Sequence, residues 1–468
     1  MSSSSLSRRR FLQTAAAAGL LTALPLRAER PAAAPATGSR RARNLIFMVA
    51  DGMSAGTFTL ADLHARQVHN RRSHWAARVA AGNLHVGLMD TASADSLVTD
   101  SAAGSSSWGC GHRVPNGSIN ITADGTAQTP ILAKARSAGK AIGLVTSTRL
   151  THATPAGFLA NVDSRAHEDT IAVQFLERGL DVGLAGGRKH FLPALRTDHR
   201  DLAGEFAAAG HTVVLDRAAL LDAPVDAERL LGLFADDHLP YRLDHRTEPA
   251  LDASVPTLAE MTEAALARLS RRPAGFVLQI EGGRVDHAAH TNDAAALLHE
   301  MLDFDAAVAA VLAFQEKNPD TLVVITTDHG NSNPGLVGDA NANLGLPRLA
   351  GFRTSFERMG RDLNAETSLA QLRTIVTAGT GLPLTEEELA PVHAALREKG
   401  TAPYKPDRAA APTFAAVLQN HISIGWTGVA HTGDFVLFTA LGPGAEAFPP
   451  LVRNDAVHNH VLTALGIG

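Results

Sequence analysis

The sequence predicts an α/β protein, a three-layer α/β/α sandwich around a mostly parallel sheet, and three observations predict it. Short, wholly apolar runs recur along the chain, helical patterns alternate with them, and several runs stop abruptly at carboxylates or histidines. Runs apolar on both faces suit strands buried between helix layers. Alternation of strand and helix over this length suits a doubly wound sheet.

Residues 7–30, SRRRFLQTAAAAGLLTALPLRAER, come first. Arg8 and Arg9 lead Phe11 and Leu12 into an apolar run from Ala15 to Leu26. The run is shorter than the roughly 20 residues of a spanning helix, and the Leu-Arg-Ala at its end offers a small residue, Ala28, for a signal-peptidase site. The pattern resembles a twin-arginine export signal over residues 1–28, followed by a flexible linker over 29–43. The expected location is periplasmic or secreted, with the twin-arginine machinery as a partner. A single cysteine, Cys110, excludes an internal disulfide framework. A net charge of −5 offers no basic field to nucleic acid.

The expected parallel strands are LIFMVA (45–50), AIGLVT (141–146), DVGLA (181–185), TVVL (212–215), FVLQI (276–280), TLVVIT (321–326) and FVLFTAL (435–441). The clearest helix runs from about Asp293 to Lys317, with Leu297, Met301, Phe304, Val308 and Val311 at helical spacing. Three strands end at polar residues that include a carboxylate. LIFMVA runs into Asp51, FVLQI into Glu281, and TLVVIT into Thr327, Asp328 and His329. Ligands of open α/β sheets bind beyond the carboxyl ends of strands, and a buried acid there is costly unless it binds something.

In EGGRVDHAAH (281–290), Asp286 and His290 are four apart and share a helix face, so both can hold one ion. Glu281 lies at the strand end, Asp328 and His329 share a turn, and His431 lies between small residues before FVLFTAL. Carboxylate and imidazole without thiolate suit catalytic zinc. The chain has 21 histidines, and those without such company, such as His64, His69, His74, His238 and His393, receive no function. Ser101, within VTDSAAGSSS, reads from position alone as a helix cap.

These segments carry a resemblance. VADGMS, VTDSAAGSSS, THATP, IEGGRVDHAAH, TTDHG and AHTG stand in the order seen in alkaline phosphatases, from about Arg43 to the C-terminus. The resemblance implies two zinc ions and one magnesium ion per chain. Asp286, His290 and His431 would hold one zinc. Asp51, Asp328 and His329 would hold the other, with the Ser101 oxygen completing it. Asp51, Thr154 and Glu281 would hold magnesium. Ser101 would be the nucleophile, ionised by zinc rather than by a histidine base, and Arg165, eleven residues after Thr154, would clamp the phosphate. Ser105, Ser106 and Ser107 would pack or lie on the helix surface. His152 and His287 stand where relatives vary: His152 as a ligand of magnesium or a group that supports its ligands, His287 as a water-mediated phosphate contact.

The implied activity is hydrolysis of phosphate monoesters to alcohol and inorganic phosphate through a phosphoseryl intermediate. Alternatives are a phosphodiesterase or sulfatase of the superfamily, or a non-catalytic phosphate- or metal-binding homologue. No Ser-x-Pro-x-Arg surrounds Ser101, and no expected ligand is missing, which favours the monoesterase. A homodimer is expected from the same resemblance. The interval from His329 to His431 is long and has its own helix signals: a Thr385–Glu388 capping box before LAPVHAAL, with Gly400 as its stop. Residues 332–420 therefore read as an inserted, crown-like region between core segments 44–331 and 421–468. It either shapes access or a dimer contact, or is surface elaboration. A second elaboration is expected around 216–250.

Overall fold

The computed structural model describes residues 41–398 and 411–468. The expected export signal and nearly all of the linker lie outside the described residues, as does the expected helix stop at Gly400.

Ten strands form one sheet: β1 (Asn44–Val49), β2 (His85–Asp90), β3 (Ala141–Arg149), β4 (Val182–Gly186), β5 (Thr212–Val214), β6 (Leu230–Leu233), β7 (Phe276–Glu281), β8 (Thr321–Thr326), β9 (Val436–Leu441) and β10 (Leu451–Arg453). Their spatial order is β10-β2-β9-β8-β1-β7-β3-β4-β6-β5. All pairings are parallel except those of β9, which runs antiparallel to both β8 and β2. FVLFTAL is thus a strand as expected, but not a parallel one. A buried strand is apolar on both faces whichever way it runs, so composition carries no direction. β2, β6 and β10 have no counterpart among the expected strands. β6 lies inside the 216–250 stretch, which therefore supplies a strand of the main sheet.

Alternate side chains of β1 explain the three layers. Ile46 and Met48 join one apolar cluster, whereas Leu45, Phe47 and Val49 join the other. The first face is covered by helices Ala55–His69, Leu258–Leu269 and Ala294–Lys317, most of whose buried apolar residues fall in the same cluster. Asp293 caps the long helix by accepting from the Ala296 amide at 3.0 Å, close to the expected boundaries. The second face carries helices Ser101–Cys110 and Ala153–Leu159, with Trp108 and Phe158 against Phe47 at ring-centroid distances of 5.0 and 5.3 Å. Each such buried aromatic contributes roughly 1.5–3 kcal/mol of apolar transfer.

The serine-rich segment owes its composition to this contact. A Cβ on Gly109 would lie 1.9 Å from the Gly157 carbonyl oxygen, and one on Gly157 would lie 2.4 Å from Ser105 Oγ. Ser105 donates to the Thr154 carbonyl at 2.6 Å, Ser106 accepts from the Asn120 amide, and Ser107 donates to the Ala103 carbonyl. All three serines are buried. They pack; none lies on the surface.

Between His329 and His431 the described residues are mainly helical: Ala342–Leu349, Phe356–Gly360, Leu369–Thr380, Glu386–Arg397 and Ala411–Ile422. The Thr385–Glu388 capping box forms as expected. Leu346, Phe352, Leu372 and Leu389 belong to the same apolar cluster as one sheet face.

Candidate metal centre

Adjacent strands β8, β1 and β7 are in register, with Val49 opposite both Thr326 and Glu281. The acids at and beyond their ends are therefore brought side by side at one end of the sheet. Asp51 sits in the turn after β1, where Gly52 has φ of +69° and its amide donates to Asp328 Oδ1 at 3.1 Å. A Cβ at Gly52 would lie 2.5 Å from Asp286 Oδ1, so the close approach of this turn to Asp286 requires glycine.

Helix Arg284–His290 presents Asp286 and His290 together, with Asp286 Oδ2 3.3 Å from His290 Nε2. His431 arrives from the far end of the chain because His431–Thr432 pairs antiparallel with Gly330–Asn331. Its Nε2 lies 3.5 Å from Asp286 Oδ1 and 3.0 Å from His290 Nε2. His329 Nε2 lies 3.2 Å from Asp328 Oδ2, 3.6 Å from Asp51 Oδ1 and 3.4 Å from Ser101 Oγ. Thr154 donates to Asp51 Oδ2 at 3.4 Å. The structure thus gathers every expected ligand at one place.

Three groups of ligand atoms result, each within 4.8 Å of one another: Asp286, His290 and His431; Asp51, Asp328 and His329; Asp51, His152 and Glu281. His152 stands in the third group, and the expected Thr154 borders that group through its hydrogen bond to Asp51. Buried acceptor atoms there lack hydrogen-bond partners: Asp51 Oδ1, Asp328 Oδ2 and Glu281 Oε1. An unsatisfied buried carboxylate oxygen is expensive, and three of them turned into one region fit divalent cations.

The electrostatics agree. Burial, followed by Asp328 and Asp286, holds the Asp51 carboxyl well above the usual carboxylate range. Burial and then Asp286 push Asp328 up to about 7. Burial, then His431, holds His329 well below the usual histidine value. At Asp286 burial works upward, but His290, His431 and His329 outweigh it and draw the group down. Such a group of acids and imidazoles is what a metal ion would ionise and bind.

Further residues fix these ligands. Asn331 Nδ2 donates to Asp286 Oδ1 at 2.7 Å, and Thr146 and Thr148 donate to Glu281 Oε2 at 2.5 and 3.2 Å. Gln279 Nε2 and Ser105 Oγ both hold the Thr154 carbonyl. Apart from Ser105, expected only to pack or lie on the helix surface, none of these was identified from sequence.

Ser101 is the first residue of helix Ser101–Cys110, capped by Asp100, which accepts from the Ala103 amide at 2.9 Å. The cap is therefore Asp100, which leaves the Ser101 hydroxyl available to the site. Arg165 donates through Nη1 to Asp100 Oδ2 and through Nη2 to His152 Nε2, each at 3.0 Å. A cavity of about 510 Å³ is bounded by Ser101, Arg165, His152, His287, His290 and His431. A groove of about 590 Å³ beside helix Leu369–Thr380 includes Asp362, Glu366 and Thr374, and none of its residues belongs to a ligand group among the described residues.

His238, a histidine with no expected function, packs against two residues of the site wall, His287 and His152. Its ring lies 4.4 Å from that of His287 and 5.6 Å from that of His152, near perpendicular to both. It comes just after β6, so the rule that located Asp51 and Glu281 applies to it. Arg284, also without an expected role, is the buried first residue of the site helix and donates to His287 Nδ1 at 2.9 Å.

Residues 42–467 match the alkaline phosphatase family model. Alkaline phosphatase 4 of Bacillus subtilis is 30% identical over 461 residues, which cover 96% of this chain and 95% of that protein. The crystal structure of Thermus thermophilus alkaline phosphatase superposes with a TM-score of 0.85 at 38% identity, covering 92% of each chain. That of the cold-active alkaline phosphatase of Shewanella sp. gives 0.75 at 27% identity, covering 90% of this chain and 99% of that one. The chain belongs to the alkaline phosphatase family, whose members are hydrolases acting on phosphate monoesters.

Proposed function

We propose that this chain hydrolyses phosphate monoesters to an alcohol and inorganic phosphate through a phosphoseryl intermediate on Ser101. The observation that carries the reading is the gathering of three ligand groups in one region, with Ser101 Oγ 3.4 Å from His329 Nε2 of the second and partnerless carboxylate oxygens in the second and third. Zinc suits Asp286, His290 and His431, and a second zinc suits Asp51, Asp328 and His329. Magnesium suits Asp51, Thr154 and Glu281, with His152 beside them. When bound, such ions would stabilise the oxyanions that develop on the nucleophile and leaving group.

The protein's own residues do the rest. Ser101 Oγ attacks phosphorus in line, a P–O bond to Ser101 forms, and the bond to the ester oxygen breaks to release the alcohol. Water then displaces phosphorus from Ser101, releasing inorganic phosphate and restoring the hydroxyl. Asp100 and His152 hold the Arg165 guanidinium, whose planar donors match two phosphate oxygens. The start of helix Ser101–Cys110 adds the positive end of its dipole.

Residues 332–420 act in this reading as an insertion between the core segments 44–331 and 421–468. Export by the twin-arginine route to the periplasm or beyond, and assembly as a homodimer, complete the proposal. Hydrolysis of p-nitrophenyl phosphate by the protein loaded with zinc and magnesium tests the activity, beside Ser101→Ala. Turnover that collapses in the variant is the expected result. A metal-loaded wild type that does not turn over overturns the reading.

A further inference from the structure

We propose that Arg284 is a positioning residue that fixes His287 as the Nε2–H tautomer for phosphate, and that Glu357 of the 332–420 segment holds Arg284 in place. The inference deepens the phosphomonoesterase reading and rests on it for the identity of the ligand.

A guanidinium has donors and no acceptor. Because Arg284 Nη1 lies 2.9 Å from His287 Nδ1, Nδ1 must accept, and the proton of the neutral ring resides on Nε2. His287 bounds the same cavity as Ser101 and Arg165, and no acceptor among the described residues meets its Nε2. A neutral donor is thereby presented to the region where a phosphate would sit. The ring cannot swing readily, since His238 packs edge-to-face against it at 4.4 Å and His152 at 5.7 Å.

Arg284 is held in turn from three sides. Its backbone amide donates to Ser147 Oγ at 3.1 Å, its guanidinium carbon lies 3.8 Å over the Tyr241 ring, and Nη2 donates to Glu357 Oε2 at 2.7 Å. A buried guanidinium needs a counter-charge, and Glu357 supplies it. Glu357 lies on helix Phe356–Gly360, which is pinned to the core by two carboxylates. Asp244 accepts from the Ser355 amide at 2.7 Å and its hydroxyl at 2.8 Å, and Asp293 accepts from the Phe356 amide at 2.6 Å. Asp293 also caps the long helix Ala294–Lys317. A continuous path therefore runs from the 332–420 segment through Glu357 and Arg284 to His287. On this path the segment supports the phosphate site and is more than a surface addition.

The test uses the zinc- and magnesium-loaded protein with isotopically labelled histidine rings, the His287 signals being assigned with His287→Gln. Long-range proton–nitrogen correlations are expected to show a protonated Nε2 and a bare Nδ1. Inorganic phosphate, titrated by calorimetry, is expected to bind roughly three- to tenfold more weakly to Glu357→Gln, the factor of about one hydrogen bond, with zinc and magnesium content retained. A purely structural role would lose metal or leave phosphate affinity as it was. A protonated Nδ1 in the wild type overturns the inference even if the variant does not fold. So does unchanged phosphate affinity in Glu357→Gln. A wild type that binds phosphate with the expected tautomer but does not hydrolyse p-nitrophenyl phosphate sinks the monoesterase reading and leaves this wiring standing.

Discussion

The Nε2 atoms of His290 and His431 face one another at 3.0 Å, while Nδ1 of each is turned to a backbone carbonyl, Val429 at 2.8 Å and Thr99 at 2.9 Å. The carbonyls take the Nδ1 protons, so Nε2 is the atom that each ring turns to the shared space beside the Asp286 carboxylate. This is the orientation by which a second hydrogen bond prepares an imidazole to bind a metal.

Removal of divalent ions is expected to abolish activity and lower stability together. Ions that bind only the folded state stabilise it by about 4 kcal/mol each at roughly a thousand times their Kd. Calorimetric unfolding before and after chelation measures this, with recovery on returning zinc and magnesium. Unfolding that is indifferent to chelator would contradict the assignment of the ligand groups.

Arg165 should not be replaceable by lysine. Its two end nitrogens are already aligned by Asp100 and His152, and lysine offers a point charge in place of two parallel donors. Both Arg165→Ala and Arg165→Lys are expected to lose about 10- to 100-fold in kcat/KM, the scale of a charge-assisted hydrogen bond. Steady-state kinetics on p-nitrophenyl phosphate decide it, and a fully active lysine variant would refute the clamp.

Gly52→Ala is expected to cost about 2–4 kcal/mol, from a left-handed backbone and an overpacked contact. The position has φ of +69°, and the added methyl would collide with the Asp286 side chain and backbone. Because Asp286 must move, zinc content measured on the purified variant should fall alongside the urea midpoint. A variant with wild-type zinc would show that the turn relaxes without disturbing Asp286.

Glu300 predicts a pH dependence away from the metal ligands. Burial, reinforced by Asp303, pushes its carboxyl up to about 8 from an ordinary 4.5. The folded protein therefore holds this proton more tightly than the unfolded chain. Its contribution is complete below the ordinary value and is lost as pH rises towards about 8. Glu300→Gln keeps an acceptor for the Arg242 amide, now at 2.7 Å, and removes the charge. At about pH 9 the variant is expected to exceed the wild type by on the order of 2 kcal/mol. Urea unfolding across the pH range reads this out, and parallel curves for the two proteins would contradict it.

Much of the site was legible because its ligands stand at the ends of apolar runs. Asp51, Glu281, Asp328 and His329 each interrupt a buried strand, and Asp286 and His290 announce a helix face by their spacing. His238 escaped only because LLGL (230–233) is too short and too close to proline-interrupted polar sequence to stand out as a strand. Asn331, Arg284 and Glu357 leave no local signal, since their roles come from contacts between distant segments. The direction of β9 was invisible for a different reason: burial on both faces dictates composition, whereas pairing direction is set by the path of the chain.

The most direct test of the central claim is to trap the enzyme with labelled phosphate. The metal-loaded protein is quenched in acid during turnover of a labelled monoester and mapped by mass spectrometry. Phosphate is expected on the peptide containing Ser101, and none in Ser101→Ala. Label on another residue, or undiminished turnover by Ser101→Ala, would contradict it.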